Sequence, residues 1–287
     1  MAPPKIRVLM SSLALVGTAT ITAGTAAAAQ SAEATLPTAV SISKTRVITM
    51  PATLQPGVNE FTITSTAKGG SGFQLARPAA GYTTDEANRD IEKAFNQEKI
   101  RQLKRFEANV TLLGGVTADD TADTLVVDLD PGTYWALDTN ANKAVKFFTF
   151  TVAGLDTGNV MPAATTIRAK AARTWAGSPK AIPNKGVLNF KNTSSNNHFV
   201  VLVKLKKGKT YQDFKKWFAA AQGGPSGPPP VNFDIGLDSG VVSPGHAAEF
   251  SYRLPKGDYV MLCFWPDASM GGTPHAFMGM HRAITLK

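Results

Sequence analysis

The sequence predicts an all-β chain built as two tandem sandwiches, each with one short helical excursion, and three observations lead there. The first is an internal repeat: GVTADDTADTLVVDLDPGTYWALD (115–138) lies over GVVSPGHAAEFSYRLPKGDYVMLC (240–263) without a gap. It matches Gly115 with Gly240, Leu129 with Leu254, Gly132 with Gly257, Tyr134 with Tyr259 and Leu137 with Leu262. The second is an upstream pair, in which GVNEFTITSTAKGGSGFQLARPAAGYTTDEA agrees with GVLNFKNTSSNNHFVVLVKLKKGKTYQDF across a small gap. The third is texture: short runs of β-branched and aromatic residues, bounded by Gly, Pro, Asn and Asp, favour sandwiches over a parallel α/β sheet.

Taken in order, residues 1–29 read as a secretory leader. Lys5 and Arg7 precede a diluted apolar stretch and a small-residue cleavage site near Ala29, which places the mature chain outside the cytoplasm. Residues 30–44 are expected to be a disordered N-terminal segment. The first sandwich covers 45–153, with strands in NEFTITST, TLVVDL, TYWALD and KFFTFTVA. Its helical excursion, TTDEANRDIEKAFNQEKIRQLKRF, opens on a capping box made by Thr83 and Glu86. Residues 154–161 serve as a linker, and the second sandwich covers 162–287. Its strands lie in GVLNFKN, HFVVLVKL, AEFSYRL, DYVMLCF and AITLK, and its helix, TYQDFKKWFAAAQ, is capped by Thr210 with Asp213. That helix presents Phe214, Trp217 and Phe218 on one face, and GGPSGPPP (223–230) then breaks the chain. Beyond the leader no segment is apolar enough to span a bilayer.

With 43% apolar and 18% charged residues in 287, the composition is that of a folded globular chain. The net charge is +9, or +7 once the leader's two basic residues are removed. Outside the cell such a basic face meets an anionic envelope polymer, acidic lipid or an acidic protein rather than nucleic acid, or simply stays solvated. Enzyme motifs are missing: there is no nucleophile elbow, H-E-x-x-H, P-loop or dinucleotide fingerprint, and four histidines are too few for a multicopper oxidase. The chain is therefore expected not to be an enzyme.

Chemistry concentrates in the second copy. An exported protein with one cysteine forms no internal disulfide, so Cys263 is a buried thiol, an intermolecular partner or a metal ligand. A mononuclear copper site of the trigonal kind needs two imidazoles, one thiolate and a weak axial thioether. His198, Cys263, His275 and a methionine are the candidates for that set, with Met270, Met278 and Met280 all lying in the Gly-rich loop that follows. Met261 lies within a strand and reads as core, His246 as an exposed turn residue, and His281 as either a back-up to the site or the start of the last strand.

The order NNHFVVLVKL, then GDYVMLC, then H, M and AITLK resembles the cupredoxins, the plastocyanin and azurin family. It also looks like a group of tandem cupredoxin-like exported bacterial proteins whose second copy carries a CF-x-PDA, PH, GM signature. The resemblance covers most of 162–287 and, more loosely, 45–153. It implies Greek-key sandwiches, copper as cofactor, His198 and His275 as equatorial nitrogens, Cys263 as thiolate and Met280 as axial ligand. It further implies electron transfer or copper handling in the cell envelope, with a redox or copper-donor protein as partner. One departure stands out: eleven residues separate Cys263 from His275, far more than in the well-known members. The first copy lacks the ligands, having Asp138 in place of Cys263, Ser71 about where His198 stands, and TNANKAVK in place of the ligand loop. It is expected to be a spacer or docking module. The rival expectation is a metal-free pair of Ig-like sandwiches acting as an envelope interaction module, with Cys263 an inert thiol.

Overall fold

The computed structural model describes residues 36–140, 145–162, 164–171, 173–223 and 227–287. The expected leader and residues 141–144 of TNANKAVK lie outside them. The first copy runs β1 (Thr38–Ile42), β2 (Ile48–Thr49), β3 (Thr53–Leu54), β4 (Gly57–Ser65) and β5 (Ser71–Pro78), then α1 (Thr84–Ile91) and α2 (Ile100–Asn109). It closes with β6 (Val110–Ala118), β7 (Asp123–Leu129), β8 (Gly132–Asp138) and β9 (Lys146–Val152). The second runs β10 (Thr165–Ala169), β11 (Ala181–Ile182), β12 (Lys185–Asn192), β13 (Val201–Leu205), α3 (Tyr211–Gly223) and β14 (Val231–Asp238). It ends with β15 (Ala247–Arg253), β16 (Gly257–Leu262), β17 (Pro266–Asp267), β18 (Thr273–Pro274) and β19 (His281–Leu286). Among the described residues no helix is long and apolar enough to cross a membrane.

The strands form because their apolar residues recur with period two and find a facing sheet. In β4, Phe61 and Ile63 point into the core while Glu60 stays exposed. Leu125, Val127 and Leu129 of β7 do the same, as do Leu188 and Phe190 of β12. Each copy has a five-stranded sheet of the same order, β3-β9-β8-β5-β6 in the first and β11-β19-β16-β13-β14 in the second. The repeated tyrosines act alike: Tyr134 donates its hydroxyl to the Asp130 carbonyl at 2.8 Å and Tyr259 to the Pro255 carbonyl at 2.6 Å. The architecture is all-β, two sandwiches in tandem whose five-stranded sheets share one strand order, as the repeat predicts.

The opposing layers of the two copies fuse. A single seven-stranded sheet runs β10-β12-β15-β7-β4-β1-β2, joined where β7 pairs antiparallel with β15. There Leu125 faces Phe250, its own counterpart at the 125-residue offset of the repeat, so the copies meet about a two-fold-like axis. Buried Gln74 reinforces the junction, donating to the Gly114 and Val241 carbonyls at 3.0 Å each and accepting from the Val241 amide at 2.7 Å.

Two expectations need correction, on the N-terminal segment and on the first helical excursion. The N-terminal segment is not disordered throughout 30–44, because Val40 and Ile42 are buried where β1 pairs in parallel with β4. Residues 154–161, which join β9 to β10, are laid against the start of β4, with the Thr157 amide donating to the Pro56 carbonyl at 2.8 Å and Asn159 to the Val58 carbonyl at 3.1 Å. The first copy's helical excursion is two helices rather than one. A π-helical turn (Glu92–Asn96) leads to Glu98 in left-handed backbone (φ 55), and that residue redirects the chain into α2. Both capping boxes form as expected, at Thr83 with Glu86 and at Thr210 with Asp213.

Gly114 makes the junction sensitive. It holds φ at +97°, and a Cβ there would lie 2.4 Å from the Ala248 Cβ across the junction. Gly114→Val is therefore expected to cost about 2 kcal/mol or more through backbone strain and overpacking. Guanidinium unfolding measures it, and an unchanged midpoint would refute the assignment.

Candidate metal centre

Each candidate donor is held by backbone hydrogen bonds rather than left on a free loop. Cys263 follows β16 directly; its amide donates to the Met280 carbonyl at 3.3 Å and its carbonyl accepts from Ala276 at 2.6 Å. His198 sits just before β13 and exchanges backbone hydrogen bonds with Val242 at 3.2 and 2.8 Å. His275 opens a 3₁₀ turn (His275–Met278), donates its amide to the Trp265 carbonyl at 3.0 Å, and accepts from the Met280 amide at 3.0 Å. The long loop answers the question its length raised. It folds back as a small hairpin in which β17 pairs with β18, and Gly271 and Gly272 turn it with positive φ. His275 is thereby returned over Cys263.

The three side chains converge. Cys263 Sγ lies 3.5 Å from His198 Nδ1 and 3.6 Å from His275 Nδ1, and the two Nδ1 atoms are 3.0 Å apart. A point equidistant from all three donors lies roughly 2 Å from each, the length of a bond from a transition metal to nitrogen and slightly short of one to sulfur. All three residues are fully buried, and among the described residues this is the only such group of His, Cys, Asp and Glu donors. The outward Nε2 atoms of both histidines are buried without a hydrogen-bond partner. The donor set thus fits a soft metal ion in number, type and spacing. Met280 is buried and pinned to Cys263 and His275 through its backbone, whereas Met278 is half-buried and Met270 exposed.

Electrostatics favours neutral forms. Burial pushes the Cys263 thiol up to about 12, against the smaller opposing pull of the Phe199 and Trp265 backbone. Burial drives His198 down to about 3, helped by His275 and Arg173. It drives His275 down to about 4, with Asp267 opposing. At neutral pH the site therefore offers two uncharged imidazoles and one protonated thiol.

Three residues that sequence reasoning missed surround the donors. Asp267 Oδ2 lies 3.5 Å from His275 Nε2, close enough for electrostatic attraction but too long for a formed hydrogen bond. Burial raises the Asp267 carboxyl, but hydrogen bonds from Ser269 and Arg173 outweigh it and hold it at about 2. Arg173 grips that carboxylate through Nη2 at 2.5 Å and Nε at 2.6 Å. A carboxylate behind a histidine orients the ring and raises its basicity toward a metal. The third, Glu107 of α2, accepts from the Trp265 indole at 2.7 Å. The Asp of PDA in the loop was the one signal on the page; Arg173 and Glu107 lie too far away in sequence to announce themselves.

The first copy shows what the same scaffold does without these donors. Ser71 and Asp138 do occupy the corresponding positions, with Ser71 Oγ 3.2 Å from Asp138 Oδ2. Arg46 fills the space instead, pairing with that oxygen at 2.7 Å. Arg46 and Arg173 each stand four residues beyond the strand that precedes them, β1 and β10, and both adopt left-handed backbone, at φ 65 and 60. Of the remaining histidines, His246 is exposed, and His281 begins β19 with its Nδ1 2.8 Å from the Tyr211 hydroxyl, outside the cluster. Met261 is core, as expected.

No family model and no curated protein matches this chain. Among solved structures, it is similar to auracyanin B at 21% identity and a TM-score of 0.28, over 45% of this chain and 92% of that one. A reduced auracyanin from the photosynthetic bacterium Roseiflexus castenholzii is similar at 24% and 0.27, over 44% and 99%. The copper nitrite reductase of Nitrosomonas europaea is similar at 12% and 0.23, over 87% and 93%. At these values the case for metal rests on the donors themselves.

The depressed histidines set an acid limit. An unfolded histidine titrates near 6.5, so between that pH and about 4 protons bind the unfolded chain but not the folded one, and acid favours unfolding. Stability of the metal-free protein is expected to fall by about 3 kcal/mol from pH 7 to pH 5, with two histidines each contributing up to about 1.4 kcal/mol per pH unit. Urea unfolding at both values measures it; a flat response would contradict neutral, buried imidazoles.

Proposed function

We propose that this chain is an exported copper protein whose second sandwich holds one copper ion between His198, Cys263 and His275, with Met280 as a weak axial sulfur. Its work is electron transfer or copper handling in the cell envelope, exchanged with a redox or copper-donor protein. The observation that carries the reading is the buried triangle of one sulfur and two imidazole nitrogens around a point of metal-bond radius. Copper is preferred to zinc because a thioether at Met280 is a soft donor that zinc rarely uses. Bound there, copper supplies one-electron chemistry between Cu(I) and Cu(II).

The chain's own groups do the rest. The imidazoles need lose no proton to bind, and Cys263 gives up one. The hairpin and the backbone bonds at Cys263, His275 and Met280 keep the donors from rearranging between oxidation states. No donor reaches the surface, which suits a carrier of electrons or metal better than a catalyst that must admit substrate. A partner would meet the half-buried Phe264, Phe277 and Trp217, which cluster with Phe218 of α3 beside the ligand loop.

One equivalent of Cu(II) added to the reduced protein is expected to give an intense visible thiolate-to-copper band that Cys263→Ser abolishes. Met280→Leu should keep bound copper and shift its reduction potential, read by redox titration. Competition with a Cu(I) chelator covers a colourless site. A protein that takes up neither oxidation state refutes the reading.

A further inference from the structure

Trp265 connects the two sandwiches to the metal donors. It stands two residues after Cys263, and its carbonyl accepts the His275 amide at 3.0 Å. Its indole N–H, in turn, donates to Glu107 Oε1 on the first sandwich at 2.7 Å, and its ring meets Phe95 edge-on at a centroid distance of 5.5 Å. At the hairpin tip, a Cβ on Gly272 would come within 2.7 Å of Ile100 Cδ1, so α2 sits directly on the loop. Beside the indole lies a cavity of about 490 Å³ between the sandwiches, walled by Phe95, Phe106, Phe199, Phe264 and Pro266. Trp265 therefore has open space to move into, and close packing alone does not hold it there.

We infer that Glu107 is a positioning residue: through its hydrogen bond to Trp265, the first sandwich fixes the ligand loop and, through the Trp265 carbonyl, the backbone of His275. This gives the ligand-free copy a role beyond that of a spacer, and it rests on the copper reading for what the loop positions. Partners that orient a ligand tune the metal it holds, so the effect reaches the metal through His275 without Glu107 touching it.

Two readouts test it, one independent of metal. Cys263 is the only cysteine, so the rate at which an aromatic disulfide reagent labels the metal-free, folded protein reports loop opening. Glu107→Leu removes the acceptor and is expected to speed labelling roughly tenfold, and Trp265→Phe to do likewise, whereas Glu107→Gln keeps an acceptor and stays near wild type. In the copper-loaded protein, the thiolate-to-copper band should shift in Glu107→Leu and Trp265→Phe but not in Glu107→Gln. Circular dichroism establishes that each variant is folded, and Trp265→Phe decides the matter if Glu107→Leu is not. Wild-type labelling rates in folded Glu107→Leu or Trp265→Phe overturn the inference. Glu107→Gln labelling as fast as Glu107→Leu overturns the hydrogen bond as its cause. If the wild type takes no copper, the proposed function fails while the labelling rates still judge the clamp.

Discussion

The pairing of β7 with β15 is the constraint on which the rest depends. Two sandwiches joined by a flexible linker would sample many orientations, and neither would have reason to touch the other's loops. Joining their sheets at Leu125 and Phe250 fixes one orientation, and buried Gln74 closes the seam with hydrogen bonds to both sides. That orientation carries the helices of the first copy onto the ligand loop of the second. The Trp265–Glu107 contact and the cavity beside it are consequences of this sheet, not independent features.

Both copies bury polar side chains at the same end of the sandwich but resolve the cost in opposite ways. In the first, Asp138 is buried against Arg46, and backbone amides of Gly72 and Asn140 satisfy its second oxygen at 3.1 Å each. A buried carboxylate is tolerable only with such partners. In the second, Cys263 replaces the carboxylate and two histidines close in, so an arginine in the same place would repel a bound cation. Arg173 instead turns to Asp267 on the loop, where it neutralises the carboxylate that faces His275. The exchange of Asp for Cys is thus accompanied by relocation of the arginine's partner. In the second copy, the Cys263 sulfur and the two Nδ1 atoms instead converge on one point within metal-bond reach.

How much was legible in the sequence follows from how local each feature is. Strand positions rest on period-two alternation, the capping boxes on residues three apart, and the repeat on direct self-similarity, so all could be read along the chain. The order of His198, Cys263, His275 and Met280 was legible for the same reason. The N-terminal strand was missed because TAVSI is short and gains its burial only by pairing in parallel with β4, a contact that no local pattern announces. The split of the first helical excursion turns on one left-handed residue, Glu98, whose side chain gives no sign of it.

By itself, then, the sequence determined two β-sandwiches, their turns and helix starts, and which donors stand near the ends of which strands, since those follow from residue type and spacing. Only the tertiary structure decided that the eleven-residue loop folds back, that three donors lie within metal-bond reach of one point, and that Asp267, Arg173 and Glu107 stand behind them. Those outcomes depend on distances between segments tens to more than a hundred residues apart, set by sheet fusion and core packing. Ligand order in a chain restricts a site, but closure in space builds it.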